Sequence, residues 1–347
     1  MAYTDIDKPS DYFETKLWTG NSTDDTAITG LDFAPNWVWI KNRTDTNSHA
    51  LFDTVRGATK YIESDTTDAE ATGATFLKSF TSDGFVLGTG GRVNNSGNNY
   101  ASWNWKAGTA FSNDASATGI GSIDSSGSVN QDAGFSIVSY TGTGANATVA
   151  HGLGSVPKMI HVKNRTTARG WISGHESIGW TKNLYLDGTN AEDTRSDTFN
   201  NTSPTSSVFS IGSSVGVNQN TDSMIAYCFA EKQGYSKFGS YTGNGNADGT
   251  FVYTGFKPAF MIMKASSTTG NWFIFDNKRE GFNHQNDYLK TNLSDAEVAN
   301  ERVDLLSNGF KFRTTNSAWN GSGATYIYMA FAENPFVTST GVPATAR

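Results

Sequence analysis

One spacing, repeated three times, constrains this chain more than any other feature. Thr19-Gly20, Thr141-Gly142 and Thr242-Gly243 each precede a proline by fifteen residues, counted from the glycine, at Pro35, Pro157 and Pro258. A lysine then follows each proline by six, at Lys41, Lys163 and Lys264. The chain has only seven prolines and three of them fill this slot, so coincidence is a poor account. The spacing predicts an internal triplication with units of about a hundred residues.

Each unit reads as strands. In NWVWIKN, Trp37, Trp39 and Lys41 share one parity and Val38 and Ile40 the other, so both faces are apolar and the strand is expected at the centre of a sheet. KMIHVKN after Pro157 and AFMIMK after Pro258 repeat the pattern, and proline is tolerated at a strand's first residue because no ladder donor is lost there. Each unit closes on an alternating aromatic strand. Trp103, Tyr227 and Met329 share one slot of these strands and Trp105, Phe229 and Phe331 the next of the same parity, all expected in the core. SFTSDGFVLG and LLSNGFKF predict hairpins at Asp83-Gly84 and Asn308-Gly309, with positive φ at both central residues. In SDAEVANER, Ser294 and Glu297 have the spacing of a capping box and suit one helical turn.

With Gly at 36 and charged residues at only 17%, the composition is that of a turn-rich β protein. Short strands without helical periodicity predict an all-β chain of three tandem antiparallel β-sandwich units, jelly-roll or lectin-like. The expected divisions are an N-terminal arm at 1–12, units at 13–108, 133–233 and 235–337, a Gly/Ser-rich linker at 109–132 and a C-terminal tail at 338–347. The linker composition predicts that units two and three hold a more fixed angle than units one and two.

Chemistry is sparse. A net charge of −7 without a basic cluster argues against nucleic acid. No apolar run reaches the roughly 18 residues of a membrane span, and the first residues lack the layout of a secretory signal, so no membrane insertion and synthesis in a cytoplasm are expected. Cys228 lies in the apolar run MIAYCFA and reads as a buried thiol. No metal, phosphate-binding or nucleophile motif is present, and no cofactor is expected. His49, His151, His161, His175 and His284 lack ligand spacing, and His161 reads as a structural histidine within a strand. Glu63, Asp65, Glu70, Asp193 and Asp287 fall in loops, and glycosidase chemistry would need two carboxylates opposed at a set separation. Asp53, His175 and Asp276 share a slot twelve residues past the lysines, and Arg56 and Arg279 follow the two aspartates by three. Such a pair suits a carbohydrate or metal contact, but more commonly a loop-fixing salt bridge; the second unit lacks it, and it is not read as catalytic.

KPSDYF, AYCFAEKQGYSKFGSYTGNGN, and the run from LLSNGFKFRTTN through YIYMAFAENPFVTSTGVPATAR resemble a repeat family of virion proteins in marine tailed bacteriophages, described as tail-fibre or structural proteins. The resemblance spans nearly the whole chain and is looser in the first unit, where Trp103 and Trp105 replace the AYCFAE-type ending. It implies a virion component and supplies no catalytic or binding residues. The expected function is a fibre or spike protein that binds host surface glycan or receptor, with a purely structural capsid or tail decoration protein as the alternative and a glycan depolymerase as a third. Trp171 and Trp272, eight residues past the unit lysines, with Asn271, are the candidate glycan contacts, against core or inter-unit packing of the same rings. The expected partners are other virion proteins and copies of the chain itself, a trimer among the options, with the arm and first unit as the attachment end.

Overall fold

The computed structural model describes residues 3–343; the first two residues of the expected arm and residues 344–347 of the expected tail lie outside the described residues. Strands dominate the described residues, and the pairings between named strands are antiparallel, with one isolated parallel bridge between Ile123 and Val149. No pairing between named strands joins one repeat to another. Each repeat contributes the same four neighbours in the same order: an opening strand, the closing strand, the central strand and the strand that follows the central one. The opening strands are Phe13–Thr19, Phe135–Thr141 and Ser236–Thr242. The closing strands are Asn99–Trp105, Ser223–Ala230 and Thr325–Pro335. The central strands are Trp37–Asn42, Pro157–Asn164 and Phe256–Ala265. Phe13 faces Trp105, Phe135 faces Phe229 and Ser236 faces Phe331, so the three registers are equivalent. In the third unit the eight strands curl from Ser236–Thr242 round to Phe251–Tyr253 into a nearly closed, barrel-like sheet.

The two apolar faces of the central strand serve different cores. Val38 and Ile40 pack with Phe52, Leu77, Phe85 and Leu87 inside the first unit, and Ile160 and Val162, and Met261 and Met263, have separate clusters in theirs. The opposite face, with Trp37 and Trp39, Met159, and Phe260 and Ile262, joins one cluster drawn from all three units. The closing-strand slot lies at its middle: Phe331 has ring centroids of Trp105 at 5.8 Å and Phe229 at 6.2 Å, and Phe13 stacks on it at 5.2 Å. The three repeats therefore surround a common aromatic axis instead of following one another as separate bodies.

The stretch 109–132 is not a linker. Thr109–Asn113 and Ser125–Asn130 are strands that extend the second unit's sheet, with a helical turn at Ala115–Thr118 capped by Asp114. Its glycine content reflects crowding in part: a Cβ on Gly127 would lie 1.9 Å from the Ile137 carbonyl oxygen. The arm is also built in. Ile6 joins the central cluster, Thr4 Oγ1 donates to the Gln233 carbonyl at 2.8 Å, and Tyr3 donates to the Gly255 carbonyl at 2.6 Å. An arm used in this way is not a free tether for attachment.

Close approach also explains the glycines of the shared motif. A Cβ on Gly20, Gly142 or Gly243 would lie 2.2, 2.1 or 2.3 Å from a carbonyl oxygen, those of Asn95, Gln219 and Gly321. These carbonyls follow one-turn helices at Gly91–Asn94, Val215–Asn218 and Ser317–Asn320. Trp18, Tyr140 and Tyr241, two residues before the glycines, donate to the helix carbonyls of Val93, Val217 and Trp319. The hairpins at Asp83-Gly84 and Asn308-Gly309 form, but their loop residues have no positive φ. Gly84 and Gly309 are strand residues, needed because a Cβ would lie 1.9 Å from the Ile28 oxygen and 2.1 Å from the Val252 oxygen. Pro157 opens its strand as expected, whereas Pro258 lies inside one, at a register shift where no ladder donor is required. The expected helical turn at Ser294 is absent, and Val298–Leu306 is a strand.

Candidate functional site

The polar chemistry of the molecule concentrates along the seams between units, and the unit lysines anchor it. All three are fully buried at the end of the shared core. Lys41 Nζ donates to the Ser294 carbonyl of the third unit at 3.1 Å, Lys163 to the Thr67 carbonyl of the first at 2.9 Å, and Lys264 to the Thr189 carbonyl of the second at 3.4 Å. A second carbonyl from its own unit completes each site, at Asn42, Arg169 and Ala265. Burial pushes all three ammonium groups down to about 8. The second and third units thus each reach into the one before, and the first, reaching into the third, closes the ring.

The residues eight past the lysines repeat this direction. His49 Nε2 donates to the Lys290 carbonyl at 2.9 Å, its tautomer fixed by Trp39 Nε1 donating to Nδ1 at 2.8 Å. Trp171 Nε1 donates to the Glu63 carbonyl at 2.7 Å, and Trp272 Nε1 to the Tyr185 carbonyl at 2.8 Å. Trp171 is 0% exposed and Trp272 1%, so neither offers a ring face to a sugar. This corrects the glycan-contact expectation, because an indole N–H spent on a neighbouring unit's carbonyl holds its ring inside the seam. Asn271 is partly exposed and accepts from Asn292 Nδ2 at 2.9 Å, which in turn orients Asn292 Oδ1 toward the Trp272 amide.

The Asp-x-x-Arg pairs belong to a second set of cross-seam contacts. Asp53 binds Arg56 Nε at 2.5 Å and receives the Tyr227 hydroxyl of the second unit at 2.6 Å. Asp276 binds Arg279 Nε at 2.6 Å and receives Trp103 Nε1 of the first at 3.0 Å. The third equivalent donor would come from Met329, which has none. There the aspartate is replaced by His175, whose Nε2 donates to the Tyr328 carbonyl at 3.2 Å while Nδ1 accepts from the Ser177 amide. Glutamates extend the pairs outward. Glu297 holds Arg279 at 2.7 Å and Arg43 of the first unit at 2.6 Å; Glu70 holds Arg56 at 3.5 Å and Arg165 of the second at 2.9 Å. In the third seam Glu192 binds Lys182, and its amide donates to the Ser266 carbonyl. Sequence reading placed Glu70 in a loop and Glu297 in a capping box without seeing their role in the seams, and missed Glu192 and the helix asparagines Asn94, Asn218 and Asn320. The signal was spacing from the lysine: 70 − 41 and 192 − 163 are both 29, and the asparagines follow by 53, 55 and 56.

Three of the remaining candidates are held inside the fold. Cys228 is buried, and burial pushes its thiol up. His161 is buried in the shared core, bonded through Nδ1 to Ser173 Oγ at 2.7 Å, and burial lowers it to about 3. Asp65 accepts the His49 amide at 3.0 Å, and burial raises its carboxyl. Among the described residues no group of three or more His, Cys, Asp or Glu could hold a metal ion.

Beside the arm two contiguous depressions, of about 460 and 530 Å³, share Tyr12 and Asp132 in their walls. Lys232, Gln233 and Asp5 line one and Lys106 the other. These residues come from four separate chain segments, so no motif could have announced them. A comparison with curated proteins finds no match. The family profile of Domain of unknown function (DUF7483) matches residues 8–335, which takes in all three units, and the chain belongs to that family.

Proposed function

We propose that this protein is a structural component of a tailed-bacteriophage virion, a fibre or spike module that meets the host surface. The observation that carries the reading is the closed ring of three repeats on one aromatic axis, locked at each seam by buried lysine, indole or imidazole, and carboxylate contacts. This is the geometry of a cyclic trimer folded from one chain, and it suits a rigid block in a symmetric assembly more than an enzyme that opens and closes. The resemblance of the KPSDYF, AYCFAEKQGYSKFGS and YIYMAFAENPF segments to virion repeats supports the same role. We read each unit as a β-sandwich whose main sheet turns one face to its own core and the other to the axis. Because the chain already encloses its axis, the three-fold character needs no homotrimer, and the partners are other virion proteins and a host glycan.

Immunogold electron microscopy of purified particles tests the proposal, together with the ability of the purified protein to block phage adsorption. Labelling on the tail with blocked adsorption is the expected result. Labelling on the capsid surface overturns the recognition role and leaves a decoration protein, and absence from particles overturns both.

A further inference from the structure

In the groove beside the arm several charged side chains converge that make no ion pairs among the described residues. The side chains of Lys106, Asp132, Lys232, Asp5 and Gln233 form no ion pair or hydrogen bond among the described residues. Elsewhere the fold spends such groups readily, as the Arg43, Arg56, Arg165 and Arg279 pairs show. Tyr12 divides the groove, half-buried, its ring edge against Tyr235 at 5.9 Å and Lys106 Nζ 5.4 Å from its centroid. Each half has a volume in the range of about 300–1,000 Å³ found for ligand sites.

We propose that this groove binds a linear acidic oligosaccharide, its carboxylates held by Lys106 and Lys232 on either side of the Tyr12 ridge. Lys106 and Lys232 offer ammonium groups that no ion pair occupies, and because Asp132 lines both halves and Asp5 one of them, ligand carboxylates are held by direct contact with the two lysines and not by a net positive field. Asp132, Asp5 and Gln233 supply the acceptors and the amide that sugar hydroxyls require, and the exposed part of Tyr12 supplies an apolar surface for sugar C–H groups. A chain of several sugars is needed because the two lysines line opposite halves. The arm forms one wall, so the site exists only when the arm is docked on the second and third units through Thr4 and Tyr3.

This assignment rests on the recognition reading above and names its ligand class. Isothermal titration of the full chain with oligogalacturonate and oligoalginate tetramers, and with maltotetraose as the neutral control, tests it. The acidic tetramers should bind, and maltotetraose at least about tenfold more weakly, the loss expected for a charge-assisted hydrogen bond. The double variant Lys106→Gln/Lys232→Gln should lose about tenfold or more while melting close to the wild type, since neither side chain makes an ion pair or hydrogen bond among the described residues and what is lost is the contact of Lys106 with the Tyr12 ring. No heat from either acidic tetramer, equal binding of the neutral one, or unchanged binding by the double variant overturns the proposal. Adsorption assays separate the two readings. If the double variant still blocks adsorption, recognition stands and the groove assignment falls; if the wild type binds acidic tetramers yet never blocks adsorption, the groove stands and recognition falls.

Discussion

Replacing Phe331 by alanine should destabilise the whole molecule by about 4–5 kcal/mol, the upper part of the range for Phe→Ala in a core. The side chain is 1% exposed, and its ring neighbours come from every unit: Phe13 and Trp105 from the first, Phe229 from the second and Phe260 from the third, with centroids between 5.2 and 6.3 Å. The lost transfer energy is about 1.5–3 kcal/mol. The rest comes from the cavity, at about 24 cal/mol per Å³, because rings carried by three separate sheets cannot all relax inward. Urea unfolding followed by tryptophan fluorescence reads the effect in every unit, since the first carries Trp18, Trp37, Trp39, Trp103 and Trp105, the second Trp171 and Trp180, and the third Trp272 and Trp319. One cooperative transition, moved as a whole, is the expected result. A loss below about 1 kcal/mol, or a split transition in which only the third unit weakens, would refute the shared core.

Tyr227→Phe removes the hydroxyl that crosses to Asp53 and should cost about 1–3 kcal/mol, measured by the same unfolding; no change would show that Arg56 alone satisfies the carboxylate. Gly142→Ala would drive a Cβ to 2.1 Å from the Gln219 oxygen and should cost about 1–3 kcal/mol or more, whereas Gly91→Ala, whose nearest neighbour lies at 3.9 Å, should be close to neutral; equal effects would refute the close-approach argument. Acid should weaken the fold through His151, His161 and His175, which burial lowers to about 4, 3 and 4. Below their unfolded value near 6.5 the unfolded chain takes up protons that the folded one refuses. The contribution is therefore fully present above pH 6.5 and lost as pH falls toward 4, at about 1.4 kcal/mol per pH unit for each group. A urea midpoint that does not move between pH 7 and 5 would count against it.

The amino-acid sequence alone determined the triplication, the β class and the two-sided burial of the central strands, because each rests on a local regularity: equal spacings, and a side-chain period of two. Trp37, Trp39 and Lys41 could be assigned to one face from parity. What covered that face was not legible, since alternation reports that a surface is apolar and not which surface meets it. Only the tertiary structure joined the three faces on one axis. That arrangement turned Trp171 and Trp272 from candidate sugar platforms into seam donors, and it made strands of the Ser/Gly-rich residues 109–132. The same reason explains the glycines. Gly84 and Gly309 look like turn residues in a one-dimensional reading, yet a neighbouring strand's carbonyl oxygen, brought within about 2 Å of where a Cβ would stand, is what requires them. Contacts between residues a hundred or more positions apart, such as Tyr227 with Asp53 or Lys41 with Ser294, carry no local signature, and the fold alone decides them.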